Sequence, residues 1–361
     1  MQRKRLLTAV PLLAIAGMLV TSCGSGSGTS NTSTGSSSTT AAESSSTSAE
    51  NSSETTEASE SSESPASSAP VEFPPVKIRM ETPVSEDSPW SQIVVHFRDA
   101  MAERTNGSFE VELFTNLQLS GDNATQFENI QNGTGHGAVV NNQPLTAFDE
   151  RLNVFSLPFI AKDREQYLEL LDGPGKELWA DSLAGLNVHG ITSAVTMDGF
   201  RQLTTNSPVH SPADLKGLTI RTPLLPLYID IFKAMGANPV SLPFGELAGS
   251  LQTGVVDGQE NPLATIKAGG FASFQTHLTL WNYSNSAMVF AFNQDTWDGF
   301  GPELQAIVEE EAANAISWHR ESVIKTNDEI LEEFKSSNAF DEFTTLTEDE
   351  LKEFRNAMAT V

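Results

Sequence analysis

The sequence predicts an α/β fold built in two lobes. Three observations carry it. The 361 residues are too many for one compact core, since domains run to roughly 100–200 residues. From Val71 onward, short apolar stretches of period two alternate with stretches whose apolar residues recur at helical spacing. Glycine and proline punctuate nearly every change of rhythm, as turns between short elements require.

Two segments precede that pattern. Residues 1–22 open with Arg3, Lys4 and Arg5, run apolar from Leu6 to Val20 and end at Val20-Thr21-Ser22-Cys23. The apolar run falls short of the ~20 residues a bilayer span needs, so it reads as an export signal cut before Cys23. Cys23 is the only cysteine, which excludes a disulfide framework and thiolate metal sites. Val-Thr-Ser-Cys resembles a lipobox, and acylation of Cys23 would supply the two-chain anchor that stable attachment requires; an incidental cysteine is the alternative. Residues 23–72 are dominated by Ser, Thr, Gly, Ala, Asn and Glu, a composition that cannot bury a core. The segment is expected to be a disordered tether with a reach of roughly 35–40 Å.

The formal charge is −26. Setting aside three basic residues of the leader and the six glutamates of residues 24–70 leaves 18 basic and 41 acidic residues, a folded part near −23. Such a surface disfavours nucleic acid and anionic lipid as partners. It does not forbid an anionic ligand, because arginines inside a cleft act locally while surface charges are screened within about 10 Å.

The elements follow in order. Residues 76–80 alternate as a half-buried strand, and 91–104 place Ile93, Val94, Phe97 and Met101 on one helical face. Thr105-Asn106-Gly107 turns into a strand at 109–114. A helix over 124–131, stopped by Asn132-Gly133, precedes a strand at 137–140. An apolar turn at 153–159, a helix over 163–171 and strands at 190–196 and 200–204 come next, with the second lobe starting between those strands. There, a short helix at 212–217, a strand at 218–222 broken by Pro223, and a helix over 224–235 stopped by Gly236 are expected. A strand at 240–242, a helix over 245–253 and a short strand at 255–257 lead to a helix that Asn261 caps, with Pro262 in its first turn, running to about Lys267.

Three side chains in this lobe suggest a carboxylate: Arg201 in Gly-Phe-Arg-Gln-Leu, Arg221 in Leu-Thr-Ile-Arg-Thr-Pro and Asn261 in Gly-Gln-Glu-Asn-Pro. A guanidinium presents a planar fork that matches a carboxylate and stays charged when enclosed. Arg221 lies at a strand end before a helix, where anionic ligands gather in open α/β sheets. Each residue has another possible use: Arg201 or Arg221 could form a lobe-stabilising ion pair, Asn261 could only cap a helix, and Phe244 could be simple core. Asn141 or Asn142, at a strand-to-turn position of the first lobe, would face the cleft. Glu260 is expected to face away from a carboxylate pocket. Trp281, Trp297 and Trp318 read as packing residues.

The ordered run from Asp214-Leu-Lys-Gly-Leu-Thr-Ile-Arg221, through Phe232-Lys-Ala-Met-Gly-Ala-Asn-Pro239 and Pro243-Phe-Gly-Glu-Leu247, to Leu251-Gln-Thr-Gly-Val-Val-Asp-Gly-Gln-Glu-Asn-Pro262 resembles the extracytoplasmic solute receptors of tripartite ATP-independent periplasmic (TRAP) transporters, the DctP family. Arg104-Thr-Asn-Gly107, Gln118-Leu119 near Gly121 and Phe155-Ser-Leu-Pro-Phe159 stand in the same order, so the resemblance covers about residues 75–340. It implies a periplasmic-binding-protein-like clamshell, type II-like, of mixed sheets flanked by helices. Lobe 1 would hold residues 73–198 and 287–326, and lobe 2 residues 199–286 and 327–361. Arg221 would make a bidentate contact with the ligand carboxylate, Arg201 and Asn261 would complete the anion pocket, and Phe244 would form part of its wall; Asn141 is added from its strand-to-turn position alone, as a contact to the polar end of a solute. The chain departs from the family at Ala248-Gly249-Ser250, where relatives carry a tyrosine after Glu-Leu, and at Ser120, inserted before Gly121. Those departures are expected to bear on which solute is chosen.

The resemblance implies a monomeric receptor on the outer face of the cell membrane, attached through its anchor alone. It would hand an organic acid to small and large permease subunits driven by an ion gradient. A signalling partner or an ABC-type importer are the alternatives. No cofactor or metal is expected. An enzyme is disfavoured, because His96, His136, His189, His210, His277 and His319 lack metal-ligand spacing, no Gly-x-Ser-x-Gly elbow occurs in the folded part, and Gly173-Pro-Gly-Lys176 lacks the first glycine and the hydroxyl of a phosphate loop.

Overall fold

A computed structural model describes residues 72–361. The expected leader, Cys23 and the tether up to residue 71 lie outside the described residues. The first lobe opens with β1 (Val76–Glu81), α1 (Pro89–Arg104), β2 (Phe109–Phe114), α2 (Asn123–Gln131), β3 (Gly137–Asn141) and the one-turn α3 (Asn142–Leu145). It continues through α4 (Arg164–Leu170), α5 (Lys176–Leu183) and β4 (Val188–Met197). The chain then crosses to β5 (Arg201–Thr205), β6 (Thr219–Thr222), α6 (Pro226–Ala234), β7 (Asn238–Ser241), α7 (Leu247–Thr253), β8 (Gly258–Pro262), α8 (Leu263–Ala268) and β9 (His277–Leu280). It returns through β10 (Ala287–Asn293), and α9 (Gln294–Ser336) leads back to β11 (Glu342–Thr345) and α10 (Glu348–Met358).

Two mixed sheets result, ordered β2-β1-β3-β10-β4 and β11-β9-β5-β8-β6-β7. In the first, β1 pairs in parallel with β2 and β3, while β10 runs antiparallel to β3 and β4. Period-two alternation sorts its side chains. Met288, Phe290 and Phe292 of β10 join the core under α1 and α9, whereas Ala287, Val289 and Ala291 join the core of Phe127, Phe155, Tyr167 and Trp179 on the other face. The second sheet is likewise covered on both faces, by clusters around Tyr228, Phe232 and Trp281 and around Leu251, Ile266 and Phe334.

Local chemistry sets the ends. Asp122 accepts from the backbone N–H groups of Ala124 and Thr125, both at 2.9 Å, and so caps α2. Asn106 and Gly107 take positive φ in the turn between α1 and β2. Within α9, Gly301 adopts φ 73° ahead of Pro302 and breaks the helical path there. Beyond that break, Arg104 ties α1 to α9 through Glu311 at 2.6 Å.

Two expectations are corrected, and one helix was not foreseen. The strand expected at 255–257 lies at Gly258–Pro262, because Gly254 ends α7 in the left-handed region and Val255 is exposed. A Cβ at Gly258 would stand 2.5 Å from the Thr204 carbonyl oxygen, so the strand starts where glycine permits close approach. Asn261 does not cap a helix: it pairs with Gln202 in the β5–β8 ladder, and α8 begins at Leu263 with Pro262 at the N-cap and no side-chain cap. The helix expected over 163–171 ends at Leu170, and a second one, α5, follows the Gly173-Pro174-Gly175 kink and buries Trp179 and Leu183.

Candidate ligand-binding site

The sheets meet at a cleft whose floor is where the chain crosses between them. Residues 198–200 run alongside 281–286, with the Asp198 N–H on the Ser286 carbonyl at 2.9 Å and the Arg201 N–H on the Ser284 carbonyl at 2.9 Å. Gly199 takes φ +122° in this crossing. The lobes touch across the cleft: Phe244 packs against clusters of both, and a Cβ at Gly245 would lie 3.5 Å from the Gly121 carbonyl oxygen. What remains between them is a cavity of about 370 Å³, solvent at its mouth included. Trp90, Asn141, Gln143, Asp198, Arg201, Arg221, Phe244, Asn261 and Thr265 are in its lining, and a compartment of about 390 Å³ adjoins it, sharing Asn123, Gln143, Arg221, Pro223 and Phe244.

Arg201, Arg221, Asn261, Phe244 and Asn141 therefore converge on one space. Their electrostatic situations differ. Arg221 is 2% exposed, and its Nε and Nη2 donate to the Leu242 carbonyl at 3.1 and 2.7 Å. No carboxylate among the described residues pairs with it. Phe244 lies with its ring centroid 6.0 Å from the guanidinium carbon. Burial pushes the Arg221 pKa down to about 10, with Glu260 opposing that and Arg201 adding to it. This is a buried cation held in place and left without an anion.

Arg201 is 3% exposed and already paired. Its Nε and Nη2 donate to the Glu260 carboxylate, the latter at 2.9 Å, and Nη2 also reaches the Glu260 carbonyl at 2.8 Å and Asn261 Oδ1 at 2.9 Å. Tyr283 Oη donates to Glu260 at 2.7 Å. Burial opposes the charge on Arg201, but Glu260 more than offsets it, so the pKa stands above its usual value. Glu260 is fully buried and absent from the cavity wall. The ion pair considered for Arg201 is thus with a buried glutamate of its own sheet rather than a surface carboxylate; Nη1 is the nitrogen left without a partner among the described residues.

Asn261 Nδ2 donates to Gln259 Oε1 at 2.5 Å, so this carboxamide is fixed between Gln259 and Arg201. Asn141 accepts from the Gln143 N–H at 3.1 Å as N-cap of α3, which leaves its Nδ2 for the cavity. Asn142 is drawn away: it donates to the Leu152 carbonyl and Ser156 Oγ, both at 3.0 Å.

Sequence reasoning missed Asp198, Trp90 and Gln143 in the wall. Asp198 carried one signal, an acid beside glycine three residues before Arg201 within an apolar stretch. The departures at Ser120 and 248–250 are not in the lining of either compartment, so they do not contact a solute held there.

Asp198 is 8% exposed, and its carboxylate has no hydrogen-bond or ion-pair partner among the described residues. Burial pushes its pKa up to about 6, with Arg201 opposing and Glu260 adding. The folded protein therefore holds this proton more tightly than the unfolded chain, and stability is lost as pH rises from about 4 through about 6. Asp198→Asn is expected to raise the ligand-free unfolding free energy at pH 7.5 by about 1–3 kcal/mol, with little change at pH 4. Denaturant titrations at both pH values check this; equal shifts at the two would refute it.

The DctP family model, described as bacterial extracellular solute-binding protein, family 7, matches residues 80–361. The 2,3-diketo-L-gulonate-binding periplasmic protein YiaO of Escherichia coli (strain K12) is 30% identical over 264 residues, 73% of this chain and 78% of that one. The crystal structure of the sugar acid binding protein DctPAm from Advenella mimigardefordensis strain DPN7T, in complex with galactonate, aligns with TM-score 0.76 and 26% identity, covering 80% of this chain and 92% of that one. A TRAP periplasmic solute binding protein from Sulfurospirillum deleyianum DSM 6946 with bound succinate aligns with TM-score 0.75 and 28% identity over 80% and 93% of the two chains.

Proposed function

Because the chain belongs to the bacterial extracellular solute-binding proteins of family 7, the DctP family, we propose that it captures an organic acid by placing the carboxylate on Arg221. It is an extracytoplasmic solute receptor of the TRAP type, serving transport. One observation carries the site assignment: Arg221 is a buried guanidinium, on the wall of the cavity between the lobes, without an acid partner among the described residues. With Nε and one N–H of Nη2 on Leu242, its Nη1–Nη2 edge is left as a two-pronged donor for a carboxylate. Arg201 Nη1, Asn141 Nδ2 and the Phe244 ring complete the enclosure.

The relatives support an acid as the ligand, since a diketogulonate, a galactonate and a succinate all bear a carboxylate. Closure excludes water and strengthens the contacts, and the closed receptor then docks on small and large permease subunits driven by an ion gradient. We assign lobe 1 to 73–198 with 287–326 and lobe 2 to 199–286 with 327–361, in keeping with the two sheets. The protein acts as a monomer without catalysis. Lipid attachment at Cys23, after removal of residues 1–22, would tether it to the outer face of the membrane.

A thermal-shift screen of the mature chain against organic acids tests the reading. At least one carboxylate at a hundred times its Kd is expected to stabilise the protein by about 2.7 kcal/mol, seen as a rise in Tm of several degrees. No stabilisation by any acid would overturn it.

A further inference from the structure

We propose that Asp198 is a specificity-determining residue that accepts a hydrogen bond from the captured acid, so that the ligand is a monocarboxylate bearing a donor group, a hydroxyl or an ammonium, in place of a second carboxylate. The inference rests on the carboxylate-binding role proposed above. A buried carboxylate in a folded protein ordinarily has partners. Asp198 is more than nine-tenths buried, stands on the cavity wall and has none among the described residues. Ionised, it offers only acceptors. What it lacks is a donor, and the space it lines is the ligand cavity.

The charges around the cleft point the same way. Arg201 and Glu260 compensate each other at hydrogen-bond distance. That leaves Arg221 and Asp198 as the uncompensated pair, one cation and one anion. A dicarboxylate would satisfy the first and set its second charge in a small enclosure that already contains Asp198. An acid with a hydroxyl or ammonium satisfies both. The backbone that carries the carboxylate is anchored: the Asp198 N–H bonds to the Ser286 carbonyl at 2.9 Å, and the next N–H, of Gly199, bonds to Asn285 Oδ1 at 3.2 Å.

The test is calorimetric titration of the mature chain with acids matched except at one group. One set is butyrate, 4-hydroxybutyrate, 4-aminobutyrate and succinate; the other is galactonate and galactarate. In the wild type, a hydroxyl- or ammonium-bearing member of at least one set is expected to bind at least tenfold tighter than its dicarboxylate partner, and the first set shows which donor is preferred. Asp198→Asn is expected to weaken binding of that member roughly 10- to 100-fold, the worth of one charge-assisted hydrogen bond, and to leave the dicarboxylate unchanged or tighter. A ligand-free Tm at or above wild type shows that the variant is folded. Tighter wild-type binding of the dicarboxylate in both sets, or a selectivity ratio that moves less than twofold in the variant, would overturn the inference while leaving carboxylate capture by Arg221 standing. Binding of every acid unaffected by Arg221→Ala would instead sink the carboxylate site, and this inference with it.

Discussion

Arg221→Ala lowers the affinity for the bound acid by at least a hundredfold. The lost fork makes two charge-assisted hydrogen bonds, each contributing on the order of 1.5–3 kcal/mol, and every 1.4 kcal/mol is about tenfold in Kd. The environment favours the upper part of that range. Arg221 is desolvated and its charge has no acid among the described residues; burial, and to a lesser extent Arg201, holds its pKa down to about 10, a penalty on the charged form that an arriving anion relieves. The same reasoning separates binding from folding. Removing an uncompensated buried cation costs the ligand-free protein little, so its Tm is expected to stay near wild type while ligand-induced stabilisation disappears. Arg221→Lys is expected to retain part of the affinity, because an ammonium keeps the charge but cannot offer the fork. Isothermal titration of both variants decides the matter: an Arg221→Ala protein that binds the same acid within threefold of wild type would contradict the assignment.

The two arginines illustrate what can be read from a chain and what cannot. Both were legible as guanidiniums suited to a carboxylate, and Arg221 also stood at a strand end before a helix, where anions gather. Their different burdens were not. Arg201 meets Glu260 only because β5 and β8 run antiparallel, with Leu203 opposite Glu260, and no spacing of 59 residues announces that contact. Strand β8 escaped for a related reason: Gly258-Gln259-Glu260-Asn261-Pro262 is wholly buried yet almost entirely polar, so no hydrophobic alternation marks it. Its burial is possible because Gln259 donates to Thr204 Oγ1 at 2.9 Å, Asn261 to Gln259, and Glu260 takes Arg201 and Tyr283. Strands β1 to β4 were legible to within a residue or two because their apolar residues recur with period two, whereas β10, apolar on both faces, was missed. Asp198 stayed hidden because its significance is a missing partner, which only the packed structure reveals.

Arg201→Met is expected to damage the fold more than Arg221→Ala and binding less. Glu260 is fully buried, and its carboxylate depends on Arg201 Nε and Nη2 and on Tyr283 Oη. Deleting the cation leaves a buried anion with a single neutral donor, the kind of broken pair that costs 3–5 kcal/mol. For a chain of this size that is on the order of 10 °C in Tm. The pair as a whole is worth much less than either half suggests, since its mutual attraction must first repay the desolvation of both charges. Arg201→Met combined with Glu260→Gln should therefore recover a large part of the loss, because the buried charge goes with its partner. Binding follows a different order. Arg201's charge is spoken for by Glu260 and only Nη1 is free for the ligand, so the double variant should keep measurable affinity where Arg221→Ala does not. Denaturant unfolding of the single and double variants measures the coupling. If Arg201→Met unfolds within 1 kcal/mol of wild type, the Arg201–Glu260 pair does not hold β5 to β8, and Arg201 must be reassigned chiefly to the ligand.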